Sequence, residues 1–332
     1  MCTSIAFSQY ALYGRNLDLE CGFGEQVAIA PRNQAFSFHH REPLREHYAM
    51  IGMASMAGNT PLFAEAANEK GLYIAGLNFP GNAHYFPEAD ARQLNLAPYE
   101  LIPLLLGACA TLAEARALLE TVRLVAIPFA PGYPLSPLHW HIADSTGSLV
   151  VESMADGLHI YENPVGVMTN NPPFPYHLMR LNDYQALSPR QPENRFAPAL
   201  DLRCYGQGMG AIGLPGDASP MSRFVRAAFL KSHAVFEEDA QARVEQFFHI
   251  LRAVGMVRGS VITPEGKFDE TIYSCCIDAA NGMYYYTTYF NSRVTAIYLF
   301  DEPLNGNTAR AFPLERAPQF HQGLKCPEAP RR

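Results

Sequence analysis

MCTSIAFSQYALYGRNLDLE, residues 1–20, is the stretch on which the reading of this chain turns. CTSIAF and YGRNLD are strand-like runs separated by a short connection, and they predict an antiparallel hairpin at the start of the fold. A cysteine stands second, directly behind the initiator methionine. With a small residue at that place Met1 is commonly removed, leaving Cys2 with both a thiol and a free α-amine. Their ordinary pKa values, about 8.5 and about 7.7–8, lie far closer to neutrality than that of a serine hydroxyl, so one residue supplies a nucleophile and its base. The second strand would carry Arg15 and Asp18 to the same end, Arg15 to favour a thiolate and Asp18 to hold the α-ammonium. Taken alone, these residues also fit a buried cysteine opening an ordinary strand beside an exposed turn.

Outward from the hairpin, QVAIA, YAMIGMAS and GLYIAGLNF read as further strands, punctuated by Gly and Asn. PYELIPLLLGA is an apolar helical run, and Thr111 with Glu114 makes a capping-box pattern opening LAEARALLETV. LHWHIAD and GSLVVES predict a hairpin about the turn DSTG, and GVMTN another strand. Residues 188–218 are rich in Pro and Gly, a long irregular segment of the kind used for function or for an interface. Ser219 and Pro220 form a cap-plus-first-position start for PMSRFVRAAFLKSH, and DAQARVEQFFHILRAVGMV shows helical spacing. TIYSCCIDA, GMYYYTTYF and RVTAIYLF close the chain as a strand meander able to pair with the N-terminal strands. Strands, central helices and strands again predict an α+β fold, two sheets between helical layers, in a single domain over 1–332.

The 332 residues are 48% hydrophobic and 17% charged, which predicts a packed globule. A net charge of −7 without a stripe of Lys and Arg argues against a nucleic-acid partner. No basic leader precedes an apolar run, and no stretch approaches the roughly 20 apolar residues of a membrane span, so the expected setting is the cytoplasm. Seven cysteines without regular spacing predict free thiols; Cys275 and Cys276, adjacent on a strand, point to opposite faces and do not share a metal. His139 and His141 share a strand face but lack a spaced third ligand, so no metal is expected. Tyr284, Tyr285 and Tyr286 read as sheet packing.

MCTSIAF, YGRNLDLE, NEKGLYIAGLNFPG, LHWHIAD, VMTNNPPF, GLPGDASPMSRF and MVRGS together resemble the choloylglycine hydrolase family, which contains bile salt hydrolases and penicillin V acylases. The motifs follow the family order over nearly the whole chain. The resemblance implies a four-layer αββα sandwich of the Ntn-hydrolase type and hydrolysis of linear amide C–N bonds without metal or organic cofactor. It matches Cys2 to the nucleophile, Arg15 and Asp18 to its two supporting residues, Asn78 to the Asn of AGLNFP, Asn170 to the first Asn of TNNP and Arg223 to the Arg of SRF. Asn78 and Asn170 are suited to donate hydrogen bonds to the oxyanion of the attacked carbonyl. Arg223, at a helix start where the dipole disfavours a cation, calls for an electrostatic role in the site.

Asn rather than Tyr at position 78 resembles the bile-salt-cleaving members, whereas Cys21 and Gly22 stand in a rim segment where those members often carry an aromatic. Penicillin V and N-acyl homoserine lactones are the alternative amides; a noncatalytic binding protein on the same fold is opposed by the complete six-residue set. By resemblance the small-molecule substrate presents an apolar acyl group to Phe23, Phe63, Phe129 and Tyr133, the last two in FAPGYPLSP near residues 129–137. Residues 188–218 match the family's assembly segment and imply a homotetramer, with Arg195, Phe196 and Tyr205 as anchors.

Overall fold

The computed structural model describes residues 1–323. Strands β1 (Cys2–Phe7) and β2 (Leu12–Leu19) form the expected hairpin, closed by a single helical turn and Ala11 in the left-handed region at φ 50°. There follow β3 (Glu25–Ala30), β4 (Met50–Ala57), β5 (Thr60–Asn68), β6 (Tyr73–Asn78) and β7 (Leu94–Leu96). Helices α1 (Leu101–Ala108) and α2 (Leu112–Leu119) come next, then β8 (Val122–Leu124), β9 (Leu138–Asp144), β10 (Gly147–Met154), β11 (Gly157–Glu162) and β12 (Val167–Met168). After helix α3 (Phe174–Arg180) and the long irregular segment come α4 (Pro220–His233) and α5 (Ala240–Arg252). The described chain closes with β13 (Val261–Ile262), β14 (Phe268–Asp278), β15 (Met283–Thr288), β16 (Thr295–Tyr298) and β17 (Arg310–Pro313).

Two antiparallel sheets face one another. One runs β12-β1-β2-β14-β15-β16, with β13 on β14; the other runs β11-β10-β9-β6-β5-β4-β3-β17. The C-terminal meander does pair with the N-terminal hairpin, through β14 on β2. Helices α4 and α5 cover the outside of the first sheet, packing on β1, β12, β14 and β2, while α1 and α2 cover the second on β5, β6, β9 and β10. This is the αββα order. One apolar cluster joins the facing sheets and runs on to α4 and α5 through Phe224, Phe247 and Phe248; another lies beneath α1 and α2 around Trp140 and Leu105.

Capping differs from the sequence patterns in detail. Thr111 Oγ1 accepts from Glu114 N at 3.2 Å, but the Glu114 carboxylate reaches back to Ala110 N rather than to the cap residue. Ser219 holds the N-cap place with Pro220 after it, yet its hydroxyl makes no capping bond. Asp217 braces the helix start from outside, accepting from Ser219 N at 3.0 Å and from Ser222 Oγ at 2.6 Å, without capping a first-turn N–H. Residues 188–218 contain only one short turn of helix, and Phe196 and Tyr205 are 88% and 90% exposed.

Candidate active site

Strand alternation divides the site. Cys2 pairs with Leu17, and Ser4 with Arg15, so these four share the inner face of the hairpin, toward the second sheet; Thr3, Asn16 and Asp18 share the outer face, toward α4 and α5. Arg15 and Asp18, three residues apart, therefore reach the N-terminus from opposite sides. Asn170 is delivered by register as well: Ser4 pairs with Met168 on β12, so the chain two residues further lies opposite Cys2. Asn78 ends β6 on the facing sheet at the same end of the sandwich. Arg223 sits in the first turn of α4, pressed against β1.

Asn170 is the junction of these groups. Its Oδ1 accepts from Cys2 N at 2.7 Å and from Arg223 Nη2 at 2.8 Å, while its Nδ2 donates to Asn78 O at 2.7 Å. Arg223 also donates to Cys2 O, to Thr3 Oγ1 at 2.6 Å and from Nε to Ala218 O at 2.9 Å, which answers why a cation is buried at a helix start: its partners are on β1, at Asn170 and in the loop before the helix, none on the helix itself. Burial pulls the Arg223 pKa down, and Asp18, Cys2 and Asp269 act against that. The expectation that the Asn170 amide faces the substrate is thus modified, since its oxygen and one N–H orient the nucleophile and Asn78. The Asn78 side chain has no hydrogen-bond partner among the described residues and lines the cavity beside Cys2.

Asp18 is fully buried; Oδ1 accepts from Thr271 Oγ1 at 2.6 Å and Oδ2 has no partner among the described residues. Burial raises its pKa, opposed by Arg223 and by the chain's N-terminus. Here Met1 is still attached: Asp18 N donates to Met1 O at 2.7 Å, and the Met1 ammonium pairs with Asp269 at 3.3 Å. Arg15 donates from Nη1 to Gly76 O at 2.5 Å; burial opposes its charge, but Cys2, Tyr273 and Glu65 hold its pKa above the ordinary arginine value.

Cys2 and Arg15 open into a cavity of about 470 Å³, within the range of small-molecule sites. Phe23, Phe63, Phe129 and Tyr133 all line it, joined by Ile102 and Trp140. Cys21 and Gly22 are exposed outside this lining, so Phe23 is the aromatic that the rim segment supplies. Sequence reading missed Thr271, Asp269, Glu65 and Trp140; only pairing of the distant β14 and β5 with the hairpin's neighbourhood places the first three, and no local pattern signals that.

The two histidines of β9 are buried structural groups. His139 Nε2 donates to Thr169 O at 2.9 Å, leaving Nδ1 as an acceptor 3.2 Å from Glu152 Oε1. That contact needs a proton on Glu152, in line with its pKa being raised by burial to about 7, while burial drives His139 down to about 3. His177 Nε2 donates to Asn170 O at 2.8 Å, so histidines hold the carbonyls of Thr169 and Asn170. Cys275 and Cys276 are both buried, and no group of three or more His, Cys, Asp or Glu among the described residues is placed to hold a metal ion.

The sequence profile of the linear amide C-N hydrolases, choloylglycine hydrolase family, matches residues 2–312. A bile salt hydrolase/transferase of Lactiplantibacillus plantarum is 46% identical over 97% of this chain and 99% of its own. A crystal structure of a mutant conjugated bile acid hydrolase from Clostridium perfringens superposes with a TM-score of 0.90 at 36% identity, covering 97% of this chain and 99% of that one. Penicillin V acylase from Agrobacterium tumefaciens shares the fold, with a TM-score of 0.72 at 20% identity over 96% of this chain and 94% of that one.

Proposed function

The chain belongs to the choloylglycine hydrolase family and is a hydrolase of linear amide C–N bonds, and from that premise we propose that it cleaves glycine- and taurine-conjugated bile salts with Cys2, freed of Met1, as nucleophile. The carrying observation is that Cys2 opens an apolar cavity at the one point where Arg15, Asn78 and Asn170 converge. The Cys2 thiol passes its proton to its own α-amine and attacks the amide carbonyl. The oxyanion that forms is met by the free amide of Asn78; loss of such a donor costs about 2.7–4 kcal/mol of transition-state stabilisation. The amine leaves with the proton of the α-ammonium, forming a thioester at Sγ. Water, deprotonated by the same α-amine, then releases the acid and the thiol. An amine in place of water would take the acyl group, and the L. plantarum relative is named a transferase as well as a hydrolase.

In this reading Arg15 favours the thiolate, and Asp18, with one buried oxygen unpaired among the described residues, receives the α-ammonium once Met1 is gone. Asn170 and Arg223 hold the Cys2 backbone. Phe23, Phe63, Phe129 and Tyr133 take the apolar acyl group. The chain acts as one domain, its exposed segment 188–218 docks neighbours in a homotetramer, and the free thiols of the six cysteines among the described residues suit a reducing cytoplasm. Steady-state turnover of glycine and taurine conjugates beside penicillin V and a long-chain N-acyl homoserine lactone tests the substrate. The conjugates should have the highest kcat/KM; a preference for either other amide moves the assignment to that class, and no turnover of any makes the chain a binding protein.

A further inference from the structure

Glu65 is a carboxylate with no solvent exposure that the chemistry above does not use. It reaches the space between the sheets because β5 carries a bulge: Met53 pairs with Glu65 and Ala54 with Phe63, skipping Ala64. Phe63 and Glu65 thereby point to opposite sides of their sheet, Phe63 toward the outer cluster and the cavity, Glu65 toward β14 and β15. The skipped Ala64 carbonyl lies 3.4 Å from Arg15 Nη1.

Four groups converge on the carboxylate. Tyr273 Oη donates to Oε2 and Tyr284 Oη to Oε1, each at 2.7 Å; Cys275 Sγ lies 3.6 Å from Oε1; and Arg15 Nη1 stands 3.6 Å from Oε2. Tyr73 of β6 also faces it. Hydroxyl and thiol donors with a guanidinium are the surroundings of an ionised carboxylate, which can only accept. Burial works the other way and raises the Glu65 pKa, opposed first by Arg15 and then by the three donors. Cys2 is faced by Arg15 from β2 and Arg223 from α4, with Asp18 and Asp269 beside Arg223.

We propose that Glu65 is a positioning residue that sets how strongly Arg15 acts on the nucleophile, standing as a buried counter-charge on the side of the guanidinium away from the cavity. Arg15 is also tied by the carbonyls of Gly76 and Ala64, so it keeps its place when the carboxylate is neutralised, and what changes is the net charge at Cys2. A second buried positive charge beside Arg223 would over-acidify the thiol, and a thiol of lower pKa is the weaker nucleophile once ionised. The Glu65 carboxylate, 3.6 Å from Nη1, offsets the Arg15 charge. The inference rests on the reading that Cys2 and Arg15 form the reactive centre.

The experiment measures the pH dependence of Cys2 alkylation by iodoacetamide in the enzyme and in Glu65→Gln, with turnover of a glycine-conjugated bile salt followed alongside. Trypsin releases Cys2 in the peptide ending at Arg15, separate from the other thiols, so its mass reports Cys2 alone. Glu65→Gln should lower the alkylation midpoint by about one pH unit, the scale of one removed charge near a buried site. Should that variant not fold, Tyr273→Phe with Tyr284→Phe strips both hydroxyls from the carboxylate, favours its neutral form and should move the midpoint the same way. General damage to the site would raise the midpoint, by loosening Arg15, or leave it in place; either result in a folded variant overturns the proposal. If alkylated enzyme keeps its turnover, the reading of Cys2 as nucleophile fails. If alkylation abolishes turnover and the midpoint stays, only the role of Glu65 fails.

Discussion

Asn170→Ala removes the junction of the site. Three hydrogen bonds of 2.7–2.8 Å vanish with the amide, from Cys2 N and from Arg223 Nη2 to Oδ1 and from Nδ2 to Asn78 O, at a position 3% exposed. Two neutral bonds at about 1 kcal/mol each and one to a guanidinium at about 2 kcal/mol sum to roughly 4 kcal/mol of lost stability. The chain's single tryptophan, Trp140, is fully buried and lines the cavity, so its fluorescence reports both unfolding in urea and the state of the site. Turnover should fall by about 100-fold or more, because Cys2 N and Asn78 lose their mutual alignment. Asn170→Asp keeps the oxygen facing Arg223 but sets a second oxygen against the Asn78 carbonyl, and should fall between wild type and Asn170→Ala in both measures. A variant within about 1 kcal/mol of wild type that also kept its turnover would refute the reasoning.

Glu152 gives a pH dependence of defined sign: its carboxyl titrates at 4.5 ordinarily and at about 7 in the fold, so the native state holds the proton more tightly and stability is lost as pH rises from the first value through the second. The loss is roughly 3 kcal/mol; Glu152→Gln removes the titrating group and should show a flatter stability profile, at a lower level because an amide NH2 turned to donate to His139 Nδ1 leaves Phe174 N without the oxygen that accepts from it, and denaturation across that range checks the slope. Phe63→Ala should raise KM for conjugated bile salts by about tenfold, roughly 1.4 kcal/mol for a partly buried ring, with kcat little changed, as steady-state kinetics with shortened acyl groups as controls would show. Gly14→Ala should cost about 3 kcal/mol or more, since its Cβ would stand 2.0 Å from the Cys275 carbonyl across β14; soluble yield and urea midpoint measure it.

The hairpin was legible because CTSIAF and YGRNLD are strand-like runs on either side of a short connection, and Cys2 stood out because it follows Met1. The three-residue spacing of Arg15 and Asp18 already puts them on opposite faces of a strand, but the sequence alone could not tell that both serve one site, since that depends on α4 and α5 closing one side and β6 the other. Strand β5 went unread: TPLFAEAAN holds a proline and an alanine-rich end closer to helix than to strand, and only pairing with β4 and β6 makes it extended. Glu65 was lost with it. Strand β11, GLHIYE, likewise takes its form from β10. The motif residues could be carried over by type, but the direction of each amide could not: Asn170 turns its oxygen to Cys2 N, and Asn78 is left as the free donor.

The central claim is that the thiol of Cys2, with its own α-amine, performs the chemistry. Its most direct test is the mass of the N-terminal peptide after the enzyme is quenched during turnover of a conjugated bile salt, read beside the activity of Cys2→Ala. The peptide should begin at Cys2 and carry the acyl group as a thioester, and Cys2→Ala should be folded and inactive. Undiminished turnover by Cys2→Ala, with no acyl mass on that peptide, would contradict the account.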